Sequence, residues 1–342
     1  MNSMTFENAH ASYAARVIAD DNLDTTVVAL SYTDPDDPAR NLLACIAPDL
    51  GSNLYRFRIG EHELIHCDCE RLKNRGHTGT FVLWPFPNRV RDKEYIYREQ
   101  SYSLANVKRE QGALIHGLVY DRSWSYEQPS AGPRGAAVTT FVEMHPGCLY
   151  YDSYPFTSRL ALTYTLTCAG MTVTYTVQNK GSQALPYGFA LHPYFNLLTS
   201  AEHTLVSVPA GHVMEADDEL LPTGRLLDVH SVMYGMFELE QPTPVSHLKL
   251  DHVYTNLPAS HTSLIDYEGL NLQIHISASE DFTHAVIFTP AQAPYFCLEN
   301  QTCSTDAINL YQRGRQDIAH LLEVQPGDEA SGFIRYAVEY TR

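Results

Sequence analysis

The sequence predicts an all-β protein, a large antiparallel β-sandwich with few, short helices. The first observation is a period of two: in Leu160 to Leu166 and in Thr172 to Val177, large apolar residues alternate with Thr, as in strands with one buried face. The second is that no stretch keeps a capped helical period of 3.6 residues. The third is the near-regular spacing of the apolar runs, which 19 Gly and 19 Pro interrupt. Together these features favour stacked antiparallel sheets over a parallel α/β core.

Pairs of apolar runs around turn residues predict four hairpins. In chain order they are Asn53 to Ile65 with a turn at Gly60-Glu61, Leu160 to Val177 with a turn at Cys168 to Met171, Ser263 to Ile276 with a turn near Glu268-Gly269, and Leu321 to Val324 followed by a Gln325-Pro326-Gly327-Asp328 turn and Phe333 to Val338. Further short strands are predicted at Thr25 to Ser31, Leu42 to Ile46, Phe81 to Leu83, Ala137 to Val142, Thr204 to Val208 and Ala285 to Phe288.

Only short segments favour helix or irregular structure. The best helix candidates are Ala11 to Ala19 and Asp306 to Tyr311, and Pro129 to Gly135 is predicted to be a surface loop because it is rich in Pro and Gly. No linker of low complexity and no repeat of fixed period divides the chain. We therefore expect residues 1–342 to form one domain.

The balance of charge argues against nucleic-acid and membrane partners. The chain has 23 Lys and Arg against 40 Asp and Glu, a formal charge of −17 at pH 7. An acidic surface repels phosphate backbones and anionic lipid head groups, because binding them requires clustered Lys and Arg. We expect neither partner, and we expect a monomer or a homodimer.

Cysteine content and hydropathy indicate a soluble cytoplasmic protein. Seven Cys are spread along the chain without a Cys-x-x-Cys spacing, which argues against a disulfide framework or a zinc ribbon. The first 20 residues contain no apolar run of signal-peptide length, and no run approaches the ~20 residues that span a bilayer.

Four polar clusters at the ends of apolar runs are candidates for the functional site, because strand ends and loops can bring catalytic groups to solvent. They are Trp84 to Arg91, Ile115 to Leu118 with Asp121 to Trp124, Gly188 to Asn196, and Phe288 to Pro290 with Tyr295 to Thr302.

Taken one at a time, each titratable residue of these clusters could have either a structural or a functional role. A histidine on an apolar strand, such as His116 or His192, is more often structural than catalytic. Glu299 lies between an apolar run and a polar turn. If Glu299 is buried, desolvation of its unpaired carboxylate costs on the order of several kcal/mol, which favours a functional role. If Glu299 is exposed, it is an ordinary residue at the end of a strand.

Taken together, the clusters resemble the aldose 1-epimerase (galactose mutarotase) family, from about Gly51 to near the C-terminus. Asn88-Arg89-Val90 is similar to the family's Asn-Arg-Ile/Val motif and His116-Gly117 to its His-Gly motif. The other matching segments are His192-Pro193-Tyr194-Phe195-Asn196, Leu250-Asp251-His252-Val253-Tyr254 around the sugar-binding Asp, and Leu298-Glu299-Asn300-Gln301-Thr302 around the catalytic Glu. Leu118 stands where many members have a second Gly, which leaves the identity of the sugar open.

The resemblance implies a supersandwich fold that interconverts the α and β anomers of a free aldohexose such as galactose or glucose, without metal or other cofactor. Ring opening removes a proton from the anomeric hydroxyl and delivers one to the ring oxygen. By resemblance Glu299 is the base and His192 the acid, and we expect an ionised Glu299 and a protonated His192 on opposite sides of the sugar.

The same resemblance assigns the contacts of the monosaccharide substrate. His116, Arg89 and Asp251 would bind its oxygens, together with Asn88 from the Asn-Arg motif, since Arg and carboxylate groups suit pairs of hydroxyls. Without the resemblance, Arg89 would be a structural salt bridge and Asp251 a turn cap. An aromatic platform for the sugar would come from Trp84, Trp124, Tyr194 or Phe296.

Three alternatives remain open at this point. His62-Glu63-Leu64-Ile65-His66 has the spacing of a zinc protease motif, but it lies in a predicted hairpin, whereas the motif works on a helix. A hexose-phosphate 1-epimerase of this fold would need cations for the phosphate, which Arg91, Lys93 and Arg122 could supply. A non-catalytic carbohydrate-binding protein would keep the fold without the reaction.

Overall fold

The structure, a computed structural model, describes residues 12–107 and 114–341. Within these residues strands dominate, as the sequence predicts. The first fourteen are β1 (Ser12–Asp20), β2 (Thr25–Thr33), β3 (Leu42–Ala47), β4 (Asn53–Ile59), β5 (His62–Glu63), β6 (Thr80–Leu83), β7 (Arg89–Val90), β8 (Glu94–Tyr97), β9 (Gln100–Ser103), β10 (Leu114–Ile115), β11 (Ser125–Tyr126), β12 (Ser130–Gly132), β13 (Gly135–Met144) and β14 (Ser158–Thr167).

The remaining strands are β15 (Gly170–Asn179), β16 (Leu185–Tyr187), β17 (Ala190–Asn196), β18 (Thr204–Ser207), β19 (His212–Ala216), β20 (Pro222–Asp228), β21 (Thr243–Pro244), β22 (Asp251–Thr255), β23 (Thr262–Tyr267), β24 (Leu272–Ala278), β25 (His284–Phe288), β26 (Tyr295–Gln301), β27 (Leu322–Val324) and β28 (Glu329–Tyr340). The helices are short: α1 (Cys69–Lys73), α2 (Ala307–Gln312) and α3 (Gln316–Ala319), with 3-10 turns at Pro38–Arg40, Pro48–Leu50, Arg91–Lys93, Tyr151–Ser153, Gly235–Phe237 and Val245–His247.

Three antiparallel sheets carry the architecture. The largest has ten strands in the order β11-β13-β14-β15-β28-β24-β23-β18-β21, with β12 also paired to β13. A seven-stranded sheet follows the order β20-β19-β22-β25-β26-β17-β6, and a five-stranded sheet runs from β1 to β5. The pairs β10-β7, β16-β27 and β8-β9 form small separate ladders. The all-β prediction is confirmed.

Alternate residues of the seven-stranded sheet face opposite ways, and this alternation positions the candidate site. Leu191 of β17 and Leu298 of β26 belong to the apolar core to which all three large sheets contribute. Because successive side chains of a strand point to opposite faces, His192 and Glu299 lie on the other face of the sheet. One face thus stabilises the fold, and the other is available for chemistry.

Most predicted strands and three predicted hairpins are confirmed. The turn at Gly60-Glu61 joins β4 to β5, Leu160 to Val177 forms the β14-β15 pair, and β23 pairs with β24. The six further strands appear as β2, β3, β6, β13, β18 and β25, and the predicted helix at Asp306 to Tyr311 appears as α2.

The fourth hairpin is wrong in its pairing. Its two segments are strands, but β27 pairs with β16, whereas β28 pairs with β15 and β24. The turn residues Gln325 to Asp328 therefore carry the chain from one sheet to another. The predicted surface loop Pro129 to Gly135 is also wrong in part, because Ser130–Gly132 pairs with the start of β13.

The predicted helix at Ala11 to Ala19 is wrong. Ala11 lies outside the described residues, and Ser12–Asp20 forms β1, which pairs with β2 along its whole length. Tyr13 and Ala15 pack against the apolar core. The segment contains helix-favouring Ala residues but no cap, so pairing with a neighbouring strand overrides its weak local preference.

Other features of the described residues bear on the expected chemistry. No helix among them is long and apolar enough to cross a membrane. All seven cysteines are free thiols. The metalloprotease-like segment begins in a strand, since His62–Glu63 forms β5. Across residues 12–107 and 114–341, no group of three or more His, Cys, Asp or Glu side chains is arranged to hold a metal ion.

Candidate active site

The register of β17 and β26 brings His192 and Glu299 together. Ala190 pairs with Gln301 and Tyr194 with Cys297, so His192 lies opposite Glu299 in the same register. Nε2 of His192 is 3.1 Å from Oε1 of Glu299. The two side chains are only 7% and 2% exposed. They form a direct, buried pair on one wall of the site, whereas the sequence led us to expect them on opposite sides of the sugar.

Burial acts on the charge of both members of this pair. Burial, with a smaller contribution from His77, lowers the pKa of His192 to about 3. Burial also raises the pKa of Glu299 well above its usual range; a hydrogen bond from Gln301 opposes this, Asp251 adds to it and Arg89 opposes it. The uncharged pair is thus favoured when no sugar is bound, which differs from the ionised state expected from sequence.

The uncharged and ionised forms of this pair contain the same number of protons. With a proton on Glu299, the carboxyl donates to Nε2 of His192; with the proton on His192, the imidazolium donates to the carboxylate. A shift of one proton across the 3.1 Å contact interconverts the two forms. No proton exchange with solvent is needed to reach the ionised state expected from the sequence.

Two loops bring Asn88, Arg89 and His116 to the same place. Arg89 and Ile115 are paired across the short β7-β10 ladder, and the backbone N–H of His116 donates to the carbonyl of Asn88 at 2.8 Å. Asn88 has φ +60° and His116 has φ +65°, a region that Asn tolerates better than most residues. The Asn88 side-chain oxygen accepts a 3.0 Å hydrogen bond from Nη1 of Arg89.

Gly117 allows these two loops to approach each other closely. Its φ is +68°, and a Cβ there would lie 2.4 Å from the carbonyl oxygen of Trp84. The next backbone N–H, of Leu118, donates to the same oxygen at 2.7 Å. The fold therefore favours glycine directly after His116, because a side chain there would push the two loops apart.

All six site residues predicted from the sequence line one cavity of about 170 Å³. Asn88, Arg89 and His116 contribute from the loops and His192 and Glu299 from the sheet, while Asp251 lies at the start of β22. Ile115, Tyr194, Val286 and Phe288 complete the lining. The cavity combines one guanidinium, two imidazoles, two carboxyl groups and an amide with apolar walls, a composition typical of small-molecule sites.

The aromatic lining differs in part from the candidates that the sequence offered. Tyr194 lines the cavity, but Trp84, Trp124 and Phe296 are buried elsewhere. Phe288 lines it as well and was not among the candidates. Its signal was its place at the end of a strand, directly before Thr289-Pro290 in the fourth polar cluster.

Sequence reasoning also missed residues that surround the His192–Glu299 pair. Nε2 of the fully buried Gln301 donates to Oε2 of Glu299 at 3.4 Å. The ring of Phe81 stacks on His192 with centroids 4.6 Å apart, and that of His116 meets it edge-on at 5.0 Å. Period-two alternation places Gln301 on the same face as Glu299, but no local pattern reveals the cross-strand contact of Phe81.

The cations considered for a sugar phosphate do not line this cavity. Arg91 makes a 2.8 Å ion pair with Asp217, and Arg122 donates to the carbonyl of Glu143 at 3.0 Å. Lys93 belongs to a 3-10 turn outside the lining. Arg89 is the one Lys or Arg among the described residues of the lining.

Comparison with known proteins identifies the family of the chain. A family model described as aldose 1-epimerase matches residues 39–337. The chain belongs to the aldose 1-epimerase family. Its segments around Asn88, His116, His192, Asp251 and Glu299 all lie within the matched region, so the resemblance noted in the sequence is confirmed at the level of the family.

Relatives of this aldose 1-epimerase family member are distant. It is 27% identical over 230 residues to YihR of Escherichia coli K12, described as uncharacterised, covering 67% of this chain and 71% of that protein. Over 180 residues it is 31% identical to human galactose mutarotase, covering 50% of this chain and 48% of that protein. A galactose mutarotase-like protein from Clostridium acetobutylicum shares its fold, with a TM-score of 0.82 at 18% identity, over 97% of this chain and 99% of that one.

Proposed function

We propose that this protein is an isomerase, an aldose 1-epimerase that interconverts the α and β anomers of a free aldohexose such as galactose or glucose. The observation that carries the proposal is the buried contact between His192 and Glu299 inside a cavity that also contains Asn88, Arg89, His116 and Asp251. A cyclic hemiacetal has its hydroxyl and its ring oxygen on the same carbon. An acid and a base that touch each other can therefore reach the two oxygens bonded to that carbon.

In the proposed reaction, the anomeric centre of the sugar binds against the wall that the two side chains form. The anomeric hydroxyl then donates to Glu299, and the imidazolium of His192 donates to the ring oxygen, so two hydrogen bonds replace the direct contact. Glu299 takes the hydroxyl proton while His192 delivers its own, and the bond from the anomeric carbon to the ring oxygen breaks. The aldehyde rotates about its bond to the next carbon and recloses from the other face, with the proton transfers reversed.

The remaining polar residues would hold the rest of the sugar. Arg89 has a fork of donors for neighbouring hydroxyls, and Asp251 accepts from them. His116, edge-on to His192, would bind an oxygen near the ring oxygen. Tyr194 and Phe288 offer apolar faces for the C–H surface of the pyranose.

Polarimetry with freshly dissolved α-galactose and α-glucose tests the proposal directly. The wild-type protein should accelerate the change in rotation, and Glu299→Gln and His192→Asn should each reduce kcat by roughly 10²–10⁴-fold while the protein stays folded. Glu143→Gln, in a surface ion pair with Lys180, and His145→Asn, on an exposed turn, are matched controls with wild-type rates. If the wild-type protein binds sugar without accelerating the change, it is a binding protein instead.

The same assay distinguishes free from phosphorylated sugars. Because Arg89 is the one Lys or Arg in the described lining, glucose 6-phosphate should be turned over less efficiently than glucose. Faster turnover of the phosphate would contradict the proposed substrate class and would favour a hexose-phosphate 1-epimerase.

A further inference from the structure

A row of side chains runs across the seven-stranded sheet through the His192–Glu299 pair. Phe81 of β6 pairs directly with His192 of β17, which lies opposite Glu299 of β26, which in turn pairs with Val286 of β25. His192 is thus flanked by Phe81 from one neighbouring strand and by Glu299 from the other. Directly opposed side chains on one face of a sheet are in contact distance.

The contact between Phe81 and His192 is a close aromatic stack. Their ring centroids are 4.6 Å apart with an interplanar angle of 20°, and Phe81 is only 2% exposed. Behind Phe81, the ring of His77 stacks at 4.9 Å and 11° and also meets His116 edge-on at 4.8 Å. Phe81 does not line the cavity, so a bound sugar would not touch it.

We propose that Phe81 is a positioning residue that acts on the reaction through His192. Its ring holds the imidazole in the orientation that directs Nε2 at Glu299, and its face stabilises the imidazolium that the acid step requires. A cation over an aromatic face is attracted by the negative centre of the ring, which opposes the effect of burial. This inference rests on the proposed epimerase activity, which it deepens.

The surroundings of His192 define what else influences it. The titratable groups that face its ring come from four places: Glu299 on β26, Tyr194 on its own strand, His116 after β10, and His77 before β6. Phe81 also contacts the ring of His192, and unlike these four residues it carries no titratable group. Replacing Phe81 therefore removes the stack without adding or removing a charge.

Phe81→Leu and Phe81→Tyr test this role. Leu fills similar volume without a ring face, so kcat should fall roughly 10- to 100-fold because the acid is misplaced, whereas KM should stay near the wild-type value. Phe81→Tyr keeps the ring and should restore most of kcat. Phe195→Leu is the matched control: Phe195 lies on β17 but faces the core, next to Phe296, so it loses packing without touching His192.

A spectroscopic measurement makes the result independent of activity. ¹⁵N signals of the His192 ring, assigned with His192→Asn, should show one tautomer in the wild-type protein and in Phe195→Leu. In Phe81→Leu they should show exchange between orientations or tautomers. If Phe81→Leu does not fold, Phe81→Met takes its place, since a flexible side chain fills the volume without a ring face.

The outcomes separate the two proposals. Wild-type kcat and an unchanged His192 signal in Phe81→Leu would overturn the role of Phe81, and so would a Phe81→Tyr variant as slow as Phe81→Leu. A wild-type protein that accelerates the mutarotation of no sugar would overturn the proposed function, while the ¹⁵N signals would still report whether Phe81 orients the ring.

Discussion

His192 and Glu299 are opposed residues of adjacent antiparallel strands, and their side chains meet at 3.1 Å between Nε2 and Oε1. The backbone ladder on which they stand sets their separation. Groups mounted on strands are held more precisely than groups on loops, and proton transfer depends on such precision. The pair is therefore expected to act as one unit.

Combining the two substitutions should show this coupling. Glu299→Gln and His192→Asn each stop one of the two proton transfers that ring opening couples, so the double variant should lose little more kcat than the worse single variant. Polarimetric kcat values for all four proteins measure the coupling. Independent residues would give losses that multiply, and a multiplicative result would contradict a joint role.

The charges of Asp251 and Arg89 should shift the pH profile in opposite directions. Burial is the main reason that the pKa of Glu299 is raised; Asp251 adds to the effect and Arg89 opposes it. The free pair loses its single proton when Glu299 deprotonates, so this pKa sets the basic limb of kcat/KM. Asp251→Asn should lower the pKa of Glu299 and move this basic limb to lower pH, whereas Arg89→Gln should move it to higher pH.

The same two substitutions should weaken sugar binding. Loss of a charge-assisted hydrogen bond should raise KM by roughly ten- to hundredfold in each variant. Each variant is the control for the other, because both lose a proposed sugar contact and they differ in the sign of the charge that is removed. Limbs that move in the same direction would contradict the electrostatic explanation.

Buried His284 should make the protein less stable in acid. It is fully buried at the start of β25, and burial, with a smaller effect of His320, lowers its pKa to about 3 from the usual 6.5. Between pH 6.5 and 3 the unfolded chain binds a proton at this position that the folded protein does not. The free energy of unfolding should therefore fall by about 1.4 kcal/mol per pH unit from this residue as pH decreases through that window.

Urea unfolding at several pH values between 7 and 4.5 checks the effect of His284. His284→Leu should have a shallower pH dependence than the wild-type protein, and a substitution of the exposed His145 by Leu is the matched control. His192, which has the same kind of shift, remains in both variants. Equal slopes in His284→Leu and wild type would show that His284 does not contribute.

The backbone at Gly117 should be sensitive to a single methyl group. Gly117 and Gly269 both have positive φ, but a Cβ at Gly269 meets open space, whereas one at Gly117 would overlap the backbone of Trp84. Gly269→Ala should cost about 1 kcal/mol of unfolding free energy from backbone strain alone. Gly117→Ala should cost on the order of 2–4 kcal/mol and reduce kcat/KM, because the overlap displaces His116. Equal costs in the two variants would contradict the close approach.

The positions of the strands were predicted from the sequence more accurately than the pairing between strands. Alternation identified β14, β15 and β24 because it depends on neighbours in the chain. The pairing of β28 with β15 and β24, and of β27 with β16, joins segments far apart in sequence, which local patterns do not encode. β1 was mistaken for a helix for the same reason, since its pairing with β2 outweighs its local composition.

The site shows the same limit. The resemblance placed six residues that the structure gathers around one cavity, although their roles in the reaction remain predictions. Their mutual geometry could not be predicted: the direct His192–Glu299 contact and the stack with Phe81 follow from the order of strands in the sheet. The expected charges also missed the effect of burial, because the depth of a side chain is a property of the whole fold.

The strands and the loop segments around the cavity differ in what an inserted residue would do to the site. An insertion of one residue within β17 or β26 would turn His192 or Glu299 into the apolar interior, so evolution can hardly alter the proton-transfer machinery by small steps. The segments that carry Asn88, Arg89 and His116 lie outside the seven-stranded sheet, so a change in them does not alter the register of β17 and β26. Under the proposed function, exchanging these segments for those of a relative should therefore change the sugar preference while leaving the His192–Glu299 contact in place.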